Sequence, residues 1–300
     1  IFFNGFIHHT NKNYEEMEKY YEMAIKKGNT HAMYHLGHYH NYTSKHFDKY
    51  VKMKKYYEMA IEKNNNQAIN ALGWYYERVE ENYDLAKKYY LLGVSNNNTL
   101  SIQRMAEFFR LVEKNHNEMI KYYLRGVQNN DSESMLELGN YYYSEQKYKL
   151  AKKYFEMSVA NHNSFAMFAL GNYYHHIEKN YDEMKIYYEM SIEYEDWGAS
   201  YGLGDFYFNI QDYGLAKKYY LIAIENKWYE GLKGLLKFID VVQIYFSVND
   251  KQFVMNYLTD HQKKEINDFI QNASQQMCQS CFIEKECCLK NDIYLCGSCY

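Results

Sequence analysis

Sorted only by apolar and polar positions, the chain repeats itself. A twelve-residue block recurs seven times, as YEEMEKYYEMAI from Tyr14, YVKMKKYYEMAI from Tyr50, YDLAKKYYLLGV from Tyr83, HNEMIKYYLRGV from His116, YKLAKKYFEMSV from Tyr148, YDEMKIYYEMSI from Tyr181 and YGLAKKYYLIAI from Tyr213. The starts are 36, 33, 33, 32, 33 and 32 residues apart. Apolar and small residues fall at helical rather than strand spacing, so each block predicts a helix. Its fourth position is Met or Ala (Met17, Met53, Ala86, Met119, Ala151, Met184, Ala216), and an aromatic pair fills the seventh and eighth. The eleventh is always small: Ala24, Ala60, Gly93, Gly126, Ser158, Ser191 and Ala223. A column of small side chains predicts a close helix crossing.

Polar turns such as KKGNT, EKNNNQ and QNNDS follow, in which Gly28 and the asparagines suit the left-handed conformation that closes a helix. A second helix then begins with another small column, Ala32, Ala68, Ser101, Ser134, Ala166, Ala199 and Gly231. It carries Leu-Gly at 36/37, 72/73, 138/139, 170/171 and 203/204, followed by aromatics such as Tyr76, Phe109, Tyr142, Tyr174 and Tyr207. A glycine inside a helix costs about 1 kcal/mol relative to alanine, so its recurrence predicts a second close approach. One helix pair cannot bury its own apolar face, whereas stacked pairs bury a continuous core. The expected fold is therefore all-α, a right-handed α-solenoid over residues 1–237, opening inside the second helix of an earlier copy as a fragment would. Capping helices are expected over 238–273, with TDHQ (259–262) as a helix start, and a cysteine-rich zinc-stabilised module over 276–300.

The segment AIKKGNTHAMYHLGHYH resembles a Sel1-like repeat, and the Leu-Gly-x-x-Tyr and Tyr-x-x-Ala-x-x-Tyr-Tyr-x-x-Ala helices resemble the tetratricopeptide repeat. The spacing is nearer the tetratricopeptide length, while the proline that often closes such a unit is absent from the chain. The resemblance implies an adaptor that binds a protein or peptide on a concave face lined by the Leu-Gly helix. Carried onto this chain, that face would comprise His31, Tyr34 and His38, then Gln67, Asn70 and Trp74, then Leu100, Gln103, Glu107 and Arg110. Glu133 and Asn140 follow, then Phe165, Phe168, Asn172 and His175, and finally Tyr201 and Asp205. Independently of any resemblance, these positions change character from copy to copy while the packing columns do not, which suits a reading surface.

Charge narrows the partner. The 34 basic and 38 acidic residues are spread evenly, for a net charge of -4, so the concentrated positive footprint of a nucleic-acid binder is missing. The most apolar run, GLLKFIDVVQIYFSV (234–248), is interrupted by Lys237, Asp240 and Gln243 and predicts buried helix rather than a membrane span. A lysine at the sixth position of six blocks (Lys19, Lys55, Lys88, Lys121, Lys153, Lys218) lies opposite the small column and predicts an outward, solubilising stripe rather than an anion grip. His31, His35 and His38 share one helix face at a metal-chelating spacing, but other copies lack them, so a solvated face is the expectation. Carboxylates such as Glu15, Glu16 and Asp196 sit in no catalytic motif, and HExxH, GxSxG and phosphate-loop patterns are absent.

All six cysteines lie in MCQSCFIEKECCLKNDIYLCGSCY (277–300). Two C-x2-C knuckles, Cys278/Cys281 and Cys296/Cys299, present four thiolates at a spacing close to that of zinc sites, which predicts one structural Zn2+ without an open coordination position. Disulfides and a redox pair are the alternatives, disfavoured by a cysteine-free solenoid of the intracellular adaptor kind and by the lack of a βαβ setting. An intracellular, cytoplasmic scaffold is the resulting expectation. The rival from the enzyme class is a ubiquitin-ligase-like protein whose solenoid selects substrate; a tail without histidine argues against it.

Overall fold

Residues 1–42, 48–226, 228, 230–231, 233–235, 287–290 and 293–296 are described by the computed structural model, the last two segments as backbone. Each of the first six blocks and the segment that follows it become two helices joined by a short turn. Ile1–Asn161 forms one compact unit, with α1 Phe2–Thr10, α2 Tyr14–Lys26, α3 Thr30–Tyr42, α4 Lys49–Ile61, α5 Asn66–Arg78, α6 Tyr83–Ser95, α7 Thr99–Leu111, α8 His116–Gln128, α9 Ser132–Ser144 and α10 Tyr148–Val159. His162–Tyr300 forms a second, with α11 Ser164–Tyr173 running into a π-helical turn at Tyr174–Glu178, then α12 Tyr181–Glu193, α13 Gly198–Asn209 and α14 Tyr213–Glu225. In the cysteine-rich tail, β1 (Cys287–Lys290) pairs antiparallel with β2 (Ile293–Cys296), Cys287 standing opposite Cys296. The expected capping helices of 238–273 lie outside the described residues.

Helix starts are fixed by the asparagines. Asn13, Asn65, Asn82, Asn98, Asn115, Asp131, Asn163, Asn180 and Asp212 each accept from the backbone N–H three residues on, satisfying a donor the helix leaves orphaned. The residue before each cap is left-handed: Asn64, Asn97 and Asn130 in the intra-copy turns, as their composition predicts, but His162 in another, and Lys12, Glu81, Lys114, Lys179 and Gln211 between copies; Gly28 takes the same conformation before Asn29. The alternation between 32 and 33 residues has a local cause. The N–H of Asn82, Asn115 and Asn180 reaches six residues back, to the carbonyls of Tyr76, Phe109 and Tyr174, whereas Lys147 and Asp212 reach five back, to Tyr142 and Tyr207. The extra residue is thus absorbed after the second helix and leaves the packing register intact. In the longer turns Glu80 and Glu113 reach back to pair with Lys54 and Lys87 at 2.7 and 2.5 Å, and the Lys54 hydrogen bond holds the Glu80 carboxyl below its ordinary range.

Both predicted close approaches are present. Ala24, Ala60, Gly93, Gly126, Ser158, Ser191 and Ala223 are all buried, as are Ala32, Ala68, Ser101, Ser134, Ala166 and Ala199. Their volumes compensate: where the second helix carries Ser101 or Ser134, the first carries Gly93 or Gly126, and a methyl at either glycine would overlap the serine hydroxyl. The Leu-Gly glycines receive the second aromatic of the following block. A Cβ at Gly37 or Gly73 would lie 2.6 Å from the ring of Tyr57 or Tyr90, and Gly139, Gly171 and Gly204 stand likewise against Phe155, Tyr188 and Tyr220. Those rings are at most 1% exposed, so only a hydrogen at the glycine admits them.

The first aromatic of each pair has a different role. It stacks nearly parallel on the aromatic of the preceding second helix: Tyr56 on His40, Tyr89 on Tyr76, Tyr122 on Phe109 and Tyr154 on Tyr142 in the first unit, Tyr187 on Tyr174 and Tyr219 on Tyr207 in the second, with centroids 5.4–5.7 Å apart and interplanar angles of 1–19°. Offset stacks of this kind contribute about 0.5–1.5 kcal/mol beyond their buried area. The neighbouring lysine of the predicted stripe is exposed in all six blocks. In five of them its Nζ lies 5.3–6.0 Å from the centroid of the stacked tyrosine, so the stripe shields these rings while facing water.

Candidate partner-binding face

The second helices bury their small column and Leu-Gly stripe, which leaves the positions between them as the face expected to read a partner. On α3, His31 is exposed and Tyr34 and His38 are half-buried. His38 packs at 4.6 Å against Tyr42, the rings tilted by 40°, and Tyr42 in turn approaches Trp74 of α5 at 6.4 Å, so aromatic surface runs from one copy to the next. His35 packs against Phe2 at 5.6 Å and Tyr21 at 6.1 Å, and burial together with the imidazoles of His38, His9 and His31 lowers its pKa. Burial and the nearby His9 lower the pKa of His38 as well, so the neutral imidazole is favoured at both positions. Among the described residues no group of three or more His, Cys, Asp or Glu is disposed to hold a metal.

Gln67 is exposed on α5, but Asn70 is not. It is 7% exposed, and its amide donates to Asn66 O and Asn98 Oδ1 at 2.9 Å while accepting from the Ser101 hydroxyl at 2.9 Å. The sequence placed Asn70 on the reading surface; the structure corrects this, since the side chain is locked into the packing between copies. On α7, Leu100 and Arg110 are exposed, Gln103 donates to Asp131 of the next copy at 2.9 Å, and Glu107 is held by Arg104 at 2.9 Å. On α9, Glu133 and Asn140 are exposed.

In the second unit Phe165 is 61% exposed and Phe168 stacks on Tyr188 at 5.7 Å. Asn172 and Asp205 each accept a hydrogen bond of 2.6 Å from a buried tyrosine, Tyr188 and Tyr220 respectively, so these two anchor the core as well as facing outward. His175 stacks at 4.4 Å on His176 within the π-helical turn, and Tyr201 lies 5.9 Å from Tyr220. Asp196 holds its own turn: its carboxylate accepts from Gly198 N and the Ser191 hydroxyl at 3.1 and 3.2 Å, and burial raises its pKa despite both bonds.

The sequence reading missed two members of the face. Tyr42 bridges the aromatic surface of two copies, and Glu137 of α9 stands among Glu133, Glu107 and Arg110, with Asn140 hydrogen-bonded to it. Glu137 precedes the glycine of its own LELG by two residues, a position that reads His35, Ala71, Arg104, Glu137, Ala169 and Gly202 along the chain. That variability was the available signal. Of the expected zinc ligands, Cys278, Cys281 and Cys299 lie outside the described residues, and Cys296 is described only as backbone at the end of β2.

No family model and no curated protein matches the sequence. Solved structures do. The protective antigen c5321 of uropathogenic Escherichia coli, which displays an SLR fold, is 18% identical with a TM-score of 0.59, over 88% of this chain and 58% of its own. The human IFIT1 dimer with PPP-AAAA is 15% identical with a TM-score of 0.53, over 89% of this chain and 68% of its own. A Sel1 repeat protein from Oxalobacter formigenes is 24% identical with a TM-score of 0.49, over 62% and 82%. The likeness is one of fold: the helix-pair repeats of this chain are of the kind found in Sel1-like and tetratricopeptide repeat proteins.

Proposed function

We propose that this chain is a binding scaffold that holds a protein or peptide segment along the exposed face of its second helices. The observation that carries this reading is the contrast between columns. The small residues, glycines and stacked rings that hold the copies together vary little, while the exposed or half-buried neighbours on the same helices are histidine, tryptophan, glutamate or asparagine according to the copy. Trp74 is the strongest anchor, because a half-buried tryptophan in contact with a second aromatic suits the rigid, amphipathic residues that dominate binding energy. Among the described residues no helix is long and apolar enough to cross a membrane. An intracellular setting is part of the proposal.

The tail supplies a second contact held by structural zinc on Cys278, Cys281, Cys296 and Cys299. Support comes from the four-thiolate donor set and from the hairpin, which turns the chain back so that Cys296 stands opposite Cys287, six residues after Cys281. Zinc would supply folding energy to a segment too short for a core of its own.

Affinity capture with the whole chain tests the scaffold reading. A partner retained by the wild type should be lost at least tenfold by Trp74→Ala and kept by Lys88→Ala, which alters only the exposed stripe. Equal retention by all three, or loss with Lys88→Ala alone, would overturn it.

A further inference from the structure

Charge is unevenly placed on the second helices of the first unit. α1 and α3 contain no Asp, Glu, Lys or Arg, and α5 carries only Glu77 and Arg78, at its end. Those two pair with each other at 3.0 Å, and Glu77 also accepts from the Tyr90 hydroxyl. α7 and α9, by contrast, carry Arg104, Glu107, Arg110, Glu133 and Glu137.

The uncharged stretch offers rings instead. Phe6 of α1 meets His35 of α3 edge-on at 6.3 Å, His35 and Tyr34 lie 5.4 Å apart, and Tyr34 and His38 6.0 Å. His38 continues to Tyr42 at 4.6 Å, and Tyr42 to Trp74 of α5 at 6.4 Å. Three copies thus share one aromatic track. Phe6 and Tyr42 are exposed and the other four rings half-buried, so packing fixes the rings while part of each stays open to a ligand.

The track sorts ligands by their chemistry. Tyr34, His35 and His38 feel only Tyr42 and neighbouring imidazoles, so a charged segment would lose its hydration here without meeting a counter-charge. A single-stranded nucleic acid could stack on the rings, but its phosphates require cations that α1 and α3 lack. A sugar requires polar side chains around the rings, and Asn70, the nearest amide beside Trp74 on the same helix face, is already bonded to Asn98 and Ser101. A polyproline II helix meets every condition. It lays apolar pyrrolidine rings on flat aromatic faces, its prolines have no N–H in need of an acceptor, and it has little conformational entropy left to lose. Its carbonyls can accept from the Trp74 indole N–H and the Tyr42 hydroxyl, which are in no hydrogen bond among the described residues.

On the reading that this face holds a protein segment, we infer that α1, α3 and α5 receive an uncharged, proline-rich segment in the polyproline II conformation, with its proline rings against Tyr42 and Trp74. These 300 residues contain no proline, so neither the cysteine-rich tail nor a second copy of the chain supplies that segment.

The test uses the whole chain and fluorescent decapeptide pools of uncharged residues, with proline fixed at every third position so that one side of the helix is proline. One control pool has alanine at the fixed positions, and another keeps the prolines but places glutamate or lysine between them. Followed by anisotropy, the uncharged proline pool should bind at least about tenfold more tightly than either control. Tyr42→Ala and Trp74→Ala should each remove that preference with the helical circular dichroism unchanged, whereas Arg110→Ala on α7 should leave it intact. Tighter binding of the alanine pool would overturn the proposal in favour of a helical ligand, and equal binding of the charged pool would overturn the exclusion of charge. If all pools bind equally and Trp74→Ala weakens them all, the proline segment is refuted while the scaffold reading stands. If no pool binds, the proline segment is refuted, and the scaffold reading stands or falls separately with the affinity capture by Trp74→Ala.

Discussion

Tyr90→Ala is expected to destabilise the protein by about 3–5 kcal/mol, the range for emptying a large buried aromatic site. Tyr90 is fully buried, fills the notch at Gly73 and donates to Glu77, so truncation opens a cavity between α5 and α6 and leaves the glycine stripe facing nothing. Tyr90→Phe keeps the ring and should cost about 0.5–1.5 kcal/mol, the net worth of one hydrogen bond. Gly73→Ala reports the same notch from the other side. Its methyl would lie 2.6 Å from Tyr90, so overpacking of about 1–3 kcal/mol competes with a gain of about 1 kcal/mol in helix propensity, and a net loss is expected. Because these two residues share one contact, the double variant Gly73→Ala/Tyr90→Ala should cost clearly less than the sum of the singles in chemical denaturation. Additive losses would mean that the glycine column has some other cause.

Chelation should have the second large effect, confined to the tail. Structural zinc contributes on the order of 10 kcal/mol to modules of this size, so its removal should unfold residues 276–300, and the helical circular dichroism of 14–238 should stay nearly unchanged. Elemental analysis of the intact chain should find about one zinc. Metal near zero together with oxidised thiols would favour disulfides, and collapse of the whole helical signal would refute an independent module.

The helix pairs were legible because all seven blocks keep the small column and five of the second helices keep the Leu-Gly pair. The column from Ala24 to Ala223 recurs where two helices cross and the Leu-Gly glycines where a buried ring enters, and this repetition lifts a weak local signal well above chance. The division of labour within the aromatic pair was not legible. Tyr89 and Tyr90 are adjacent and identical, and only the structure shows that one stacks on Tyr76 while the other enters the notch at Gly73.

The face was legible as a set of positions but not as a set of roles. Spacing puts Asn70 beside Gln67 and Trp74, yet the short amide is drawn inward by Asn98 and Ser101, partners 28 and 31 residues away that no local pattern connects to it. Glu137 escaped for the opposite reason: it sits inside the Leu-Gly motif, and proximity to a packing residue concealed its exposure to the charges of α7.

The most direct test of the central claim is a photo-crosslinking scan of the whole chain in the presence of its binding partner. A photoreactive residue placed at His31, Gln67 or Glu107 on the second helices should capture the partner, and the same residue placed at Lys55, Lys88 or Lys121 on the exposed stripe of the first helices should not. Capture from the lysine stripe, with none from the second-helix face, would contradict the account.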